Sequence, residues 1–202
     1  MPGFTSDSLK AAIAGIAARM EDAAEELNDA DARLGDGDLG ITMTRGLRGA
    51  MEIRDDLPDD VGMALLKCAQ AFTKVSGSSY GTLLATGLMS AAKACKGRTQ
   101  VRWAEIPDLL AGAVTAMMAR GKGSLGDKTV LDSLDAIRRE AEGLGEPAAL
   151  LAAAEAGARG ALETFRDRPS RIGRARMFGD KSVGLDDPGM LALRRVIEGL
   201  VA

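Results

Sequence analysis

The run DARLGDGDLGITMTRG, residues 31 to 46, sets Asp31, Asp36 and Asp38 within eight positions. Gly35 and Gly37 separate them, and Gly40, Thr42, Thr44 and Arg45 follow. Carboxylates held this close repel one another unless positive charge stands between them. Glycine lets the chain turn tightly enough to bring them together. Hard divalent cations take such oxygen ligands, and Mg²⁺ completes its shell with waters and substrate phosphates. An EF-hand is excluded: Gly40 falls at the fifth loop position counted from Asp36, and Leu47 where the twelfth-position glutamate belongs. Asp and Gly are also ordinary turn and cap residues. Spacing alone therefore leaves two readings open, a metal loop, and helix caps and turn formers.

Three further stretches carry the same double reading. SGSSYGT, residues 76 to 82, opens a helical segment with small hydroxyl residues. A helix N-terminus presents free N–H groups and a positive dipole end to phosphate, whereas Ser and Thr there also serve as plain N-caps. GDKT, residues 126 to 129, holds Asp127 where it can cap the helix that follows, and no Walker A spacing occurs anywhere in the chain. Residues 166–181 collect Arg166, Arg168, Arg171, Arg174, Arg176 and Lys181 against Asp167 and Asp180. Guanidinium forks match phosphate oxygens, and a solvated loop is the competing reading. DDPG, 186 to 189, then starts the last helix with Pro188 in its first turn.

The chain contains no histidine. A Ser-His-Asp triad, imidazole metal ligation and histidine phosphorelay are thereby excluded within it. Chemistry must run on carboxylates, hydroxyls, Lys, Arg or a bound metal. The net charge of −3 argues against bulk attraction to nucleic acid or a membrane surface. Cys68 and Cys95 lie in apolar helical stretches and read as free buried thiols. The opening MPGFTSDSLK has no basic-then-apolar leader pattern, and no apolar run is long enough for a bilayer, so the expected compartment is the cytoplasm.

The elements that must position these groups are helices. Leu9, Ile13, Ile16, Ala17, Met20 and Ala24 form one apolar stripe, and Met63, Leu66, Ala69, Phe72 and Val75 another. Segments near 42–53, 80–95, 103–121, 128–142, 147–166 and 187–201 read likewise, and no stretch alternates as a strand does. Aromatics are only 3% of the chain, so Ala, Leu, Val, Ile and Met must build the core, a palette for closely packed helices. The expectation is one all-α domain over 1–202, an eight-helix up-and-down antiparallel barrel or bundle. The glycine-rich joints LGDGDLG, SGSSYGT, GKGSLGDKT and RPSRIGRARMFGDKSVGLDDPG follow the first, third, fifth and seventh segments. In such a bundle alternate joints share an end, so all four are expected at one site. DDLPDD, KGRTQ and GLGEP are short turns at the other end.

In this order the motifs resemble the nucleotide-binding L subunit of dihydroxyacetone kinase and the matching C-terminal domain of single-chain ATP-dependent kinases. The family pattern is roughly D-x-x-x-G-D-x-D-H-G, S-G-x-x-x-G-T, G-D-K-T and G-R-A-x-x-x-G-x-x-S-x-G-x-x-D-P-G. This chain reads DARLGDGDLG, SGSSYGT, GDKT and GRARMFGDKSVGLDDPG, and the likeness runs over about residues 25 to 202.

The resemblance implies ADP or ATP at one end of the barrel, with Asp31, Asp36 and Asp38 holding two Mg²⁺ against its phosphates. It implies Leu39, Gly40, Ile41 and Thr42 along the phosphates. Val75, Ser76, Gly121, Val130, Arg174, Asp187, Pro188 and Gly189 would complete the nucleotide site. Asp31, Asp36, Asp38 and Arg174 would be the catalytic set. It further implies a separate K-type subunit whose histidine holds the ketose, and in one mode a phosphotransferase-system phosphocarrier that recharges ADP. The reading leaves room for a homodimer.

Leu39 stands where the family has histidine, Thr73, Lys74 and Val75 replace a glycine-rich run, and Val130 replaces a common Met. These departures keep a second reading alive, a non-catalytic nucleotide- or lipid-binding regulatory relative. The lipid variant draws on Ala-rich helices leaving an apolar interior unfilled.

Overall fold

The computed structural model describes residues 3–75 and 78–201. Helical periodicity is realised there as eight α-helices. They are α1 (Ser6–Leu34), α2 (Leu39–Glu52), α3 (Val61–Val75), α4 (Ser79–Cys95), α5 (Ile106–Gly121), α6 (Val130–Glu140), α7 (Pro147–Arg166) and α8 (Pro188–Val201). Each packs on the next, and α8 closes on α1. The all-α expectation holds, with one addition: β1 (Phe4–Thr5) pairs antiparallel with β2 (Gln100–Val101). Two residues are too short to show alternation. The pair ties the start of the chain to the α4–α5 joint, where Phe4 meets the Trp103 ring edge-on at 5.8 Å.

Local chemistry sets the ends. Thr5 and Ser8 form a capping box at the start of α1: Thr5 Oγ1 accepts the Ser8 amide at 3.3 Å, and the Thr5 amide donates to Ser8 Oγ at 3.2 Å. α1 then runs to Leu34, well beyond the stripe that announces it. One core cluster joins Met20, Ala23 and Leu27 of α1 to Met43 of α2, Phe72 of α3, Leu162 of α7 and Met190 of α8. A second joins Met117 of α5 to Val130, Leu131 and Ile137 of α6 and Leu193 and Ile197 of α8. The stripe expected on α3 holds in part: Ala69 and Phe72 are buried. Met63 is 39% exposed, however, and Val61, Ala64, Leu65 and Cys68 are buried outside the stripe. α3 is apolar around most of its circumference, so periodicity alone cannot choose its buried face. Cys68 and Cys95 are free and buried, as expected, and loss of solvent pushes the Cys68 thiol up to about 11.

The small-residue palette lets helix backbones touch. A Cβ on Gly15 of α1 would strike the Gly199 carbonyl oxygen of α8, and one on Gly199 would come 2.7 Å from the Ile16 Cα. Among the described residues no helix is long and apolar enough to cross a membrane.

These contacts give two identical substitutions opposite signs. Gly15→Ala forces α1 off α8 and is expected to lower unfolding free energy by about 1–3 kcal/mol. Gly160→Ala places its Cβ in open space on α7, and is expected to raise it by about 0.5–1 kcal/mol. Urea unfolding of both variants against the parent checks the pair.

Candidate functional site

The C-terminus of α1, the N-termini of α2, α4, α6 and α8, and the C-terminus of α5 meet at one end of the ring, around a cleft of about 940 Å³. The four glycine-rich joints come together there as the parity of the segments requires.

Asp31 lies on the last turn of α1, not in the loop; Asp36 lies in the four-residue connection, and Asp38 is the N-cap residue of α2. Carboxylate oxygens of the three lie within 4.8 Å of one another. Asp31 Oδ2 accepts the Asp38 amide at 3.0 Å, and Asn28 Oδ1 accepts the Ile41 amide at 3.3 Å. Two side chains of α1 thus satisfy early amides of α2. The Asp38 carboxylate makes no cap bond of its own, so it is not spent on the helix it precedes. Arg174 pairs with Asp36 from across the cleft. An all-oxygen, anionic donor set of this kind fits Mg²⁺.

Of the residues expected at the site, Asp31, Asp36, Asp38, Leu39, Ile41, Thr42, Gly121, Val130, Arg174, Asp187, Pro188 and Gly189 line the cleft. Gly40 is not among them. A Cβ there would collide with the Ala24 carbonyl oxygen of α1, so its small size lets α2 enter against α1. Ser76 lies outside the described residues, as does the side chain of Val75, the last residue of α3. Leu39, where the family has histidine, is buried in the main core cluster as well as at the cleft.

The cleft has two chemical halves. Asp31, Asp36, Asp38, Arg174 and Arg45 supply charged lining, while Leu83, Met117, Val130 and Leu131, which pack in one cluster, supply an apolar wall. Four helix starts line the cleft, and their positive dipole ends favour anions beside them. Ser78 and Ser79 of the hydroxyl-rich motif also line it.

Several contributors escaped sequence reading. Asn28 gives no signal beyond a polar residue on a helix. Tyr80 is the chain's single tyrosine and reads as a core aromatic. Its hydroxyl donates to the Gly189 carbonyl at 3.1 Å, fastening α4 to the start of α8. Arg120 lines the cleft from the end of α5, where it reads as a dipole partner.

Asp187 is the half-buried N-cap of α8, its Oδ1 accepting the Met190 amide at 2.9 Å. Loss of water raises its carboxyl to about 7; the Met190 amide and the Lys128 ammonium pull the other way, and Asp132 adds to the rise. Tyr80 is pushed up by burial and by Asp187.

The folded state therefore keeps a proton on Asp187 that the unfolded chain releases near pH 4. Its contribution is favourable below that pH and is lost as pH rises to about 7, after which it is flat. Asp187→Asn retains the cap and is expected to remove this fall, seen as a smaller loss of unfolding midpoint between pH 4 and pH 7.

The DAK2 domain model matches residues 33–202. L-erythrulose 1-kinase of Mycolicibacterium smegmatis is 34% identical over 182 residues, covering 87% of this chain and 32% of that protein. The ADP-binding subunit DhaL of the PEP-dependent dihydroxyacetone kinase of Escherichia coli is 29% identical, covering 87% of this chain and 86% of that subunit. The chain thus spans most of one relative and about a third of the other. The crystal structure of the C. freundii dihydroxyacetone kinase in complex with AMP-PNP and Mg²⁺ superimposes with a TM-score of 0.75 at 23% identity, over 99% of this chain and 34% of that one. That likeness is one of fold. With the family model matching most of its length, the chain belongs to the DAK2 domain family.

Proposed function

We propose that this chain is the Mg-nucleotide-carrying, phosphoryl-transferring component of a short-ketose kinase. The observation that carries the reading is the convergence of Asp31, Asp36 and Asp38 oxygens within 4.8 Å at the mouth of a cleft ringed by helix N-termini. The names of the relatives support it, one an ADP-binding subunit and one an L-erythrulose kinase.

Asp31, Asp36 and Asp38 would hold two Mg²⁺, which when bound would supply positive charge against the nucleotide phosphates. The chain's own groups account for the rest. The Leu39 amide at the start of α2, with Ile41 and Thr42 beside it, donates to phosphate oxygens. Arg174 offers a guanidinium to the same anion. Val130, with Leu83 and Met117 of the apolar wall, takes the base. Gly121, Asp187, Pro188 and Gly189 close the far side.

The chain has no histidine, so covalent capture of the ketose through imidazole belongs to a separate K-type subunit. The nucleotide is ADP recharged in place by a phosphotransferase-system phosphocarrier, or ATP exchanged at each turnover. Dihydroxyacetone and erythrulose are the ketoses to test. The setting is cytoplasmic, which keeps Cys68 and Cys95 reduced, and the described residues act with the rest of the chain as one nucleotide-binding domain.

Calorimetry of the purified chain with ADP and Mg²⁺ is expected to show saturable binding, and absence of heat at high micromolar nucleotide would falsify the reading. Asp36→Ala is expected to weaken Mg-ADP at least about 100-fold, because loss of a direct ligand exceeds the usual cost of losing an outer-shell one. Arg174→Gln, which removes a charge-assisted contact, is expected to cost about 10–100-fold. Phosphorylation of ketose should appear only when a histidine-bearing substrate subunit is added.

A further inference from the structure

The GDKT segment divides into three separate roles. Asp127 does not cap α6; its Oδ2 accepts the Ser124 amide at 2.8 Å and closes the preceding turn. Thr129 is the cap, taking the Leu131 amide at 3.2 Å, while Asp132 Oδ2 accepts the Thr129 amide at 2.8 Å in return. Lys128 turns inward between them with φ 64°, a left-handed backbone that a side-chain-bearing residue adopts at a cost.

Its side chain explains the cost. Lys128 is 1% exposed, and Nζ donates to the carbonyls of Ser182 at 2.7 Å, Arg168 at 2.8 Å and Arg166 at 3.0 Å. Arg166 ends α7, so its carbonyl lies at the negative end of that helix dipole. Burial lowers the proton affinity of the ammonium, and the Asp187, Asp186 and Asp167 carboxylates restore part of it.

The three carbonyls bracket the basic loop. Arg166 and Arg168 lie at its entry and Ser182 at its exit, and between them Arg171, Arg174, Arg176 and Lys181 are all exposed. Like charges along one loop spread it, so it needs ties. Besides Lys128, these are Ser182 Oγ, which accepts the Ser170 amide at 2.8 Å, and the Gly184 amide, which donates to Arg166 O at 2.9 Å. The Arg171 amide donates to Asp127 O at 3.1 Å, next to the lysine itself. Held this way, the loop brings Ile172 to Ala175 to the cleft and Arg174 onto Asp36.

We propose that Lys128 is a positioning residue whose ammonium clasps the carbonyls of Arg166, Arg168 and Ser182, fixing the basic loop so that Arg174 stands over the acidic trio and its phosphate ligand. The phosphate part rests on the nucleotide reading above; the clasp itself does not.

Lys128→Met keeps the volume and removes the donors. An arginine-specific protease is expected to cut Lys128→Met after Arg171, Arg174 and Arg176 at least about tenfold faster than the parent, because local opening no longer breaks three charge-assisted bonds. Its affinity for Mg-ADP should fall about tenfold or more, whereas Mn²⁺ binding to the acidic trio, followed by electron paramagnetic resonance, stays at the parent level. Lys128→Ala should regain protease resistance in methylammonium but not in tetramethylammonium, which has no N–H to donate. A Lys128→Met variant cut as slowly as the parent overturns the clasp. Faster cutting with unchanged Mg-ADP affinity overturns the positioning of Arg174. If Lys128→Met does not fold, ¹⁵N-lysine labelling of the parent decides: one ammonium signal in slow exchange with water is expected, and its absence overturns the proposal. A parent that binds no Mg-ADP overturns the nucleotide reading and leaves the protease comparison to judge the clasp.

Discussion

Crowding of the Asp31, Asp36 and Asp38 carboxylates is the constraint around which this end of the molecule is arranged. Oxygens within 4.8 Å repel strongly, and nothing in a flexible loop would keep them together. They are kept together by backbone. Asp31 is fixed on a helix, Asp38 is fixed at the start of the next, and only residues 35–37 lie between the end of α1 and Asp38. Gly40 against Ala24 lets α2 dock close, and Asn28 and Asp31 satisfy the amides that α2 exposes. The repulsion is stored in packing and released to whatever cation arrives.

The cleft holds two different kinds of carboxylate. The trio stands near the surface, Asp36 and Asp38 exposed and Asp31 half-buried, with Arg174 as its protein counter-charge. Asp187 lies deeper, caps α8, and has lost enough water to hold a proton near neutrality. The trio gathers its oxygens where a metal can reach them, while a desolvated acid beside the buried Lys128 ammonium and the Tyr80 hydroxyl belongs to the support beneath. The same residue type thus takes two roles, separated by solvent access.

Much of the architecture was legible because it follows from counting. Eight periodic segments place odd-numbered joints at one end whatever the details, and those joints were the glycine-rich ones. The phase of individual helices was less legible. Met63 and Val61 are both apolar, and only packing against neighbours on two sides decides that Val61 is buried. Asp31 looked like a loop residue because helix propensity says little at a glycine-bounded end, where the last turn of α1 is fixed by contacts with α2. Gly40 was assigned by its motif to phosphate contact, yet its missing side chain answers to Ala24 of another helix. Long-range contacts of this kind leave no local pattern.

The basic loop is the sharper case. Its composition allowed anion recognition or simple solvation, and both occur in it. Arg166 is committed to Asp186 at 2.9 Å, and Arg168 lies 4.7 Å above the Phe165 ring, so neither is available to a ligand from this arrangement. Among the described residues of the loop, Arg174 alone pairs with the acidic trio. What separates them is position relative to the bonds that pinch the loop: the arginines beside the closure pair locally, and the one farther along projects over the cleft. A loop with this many cations stays open unless its ends are joined by groups that do not add to the anion-binding face. Main-chain carbonyls gathered on one buried ammonium meet that requirement, and an acidic side chain in their place would have competed with the ligand for Arg174.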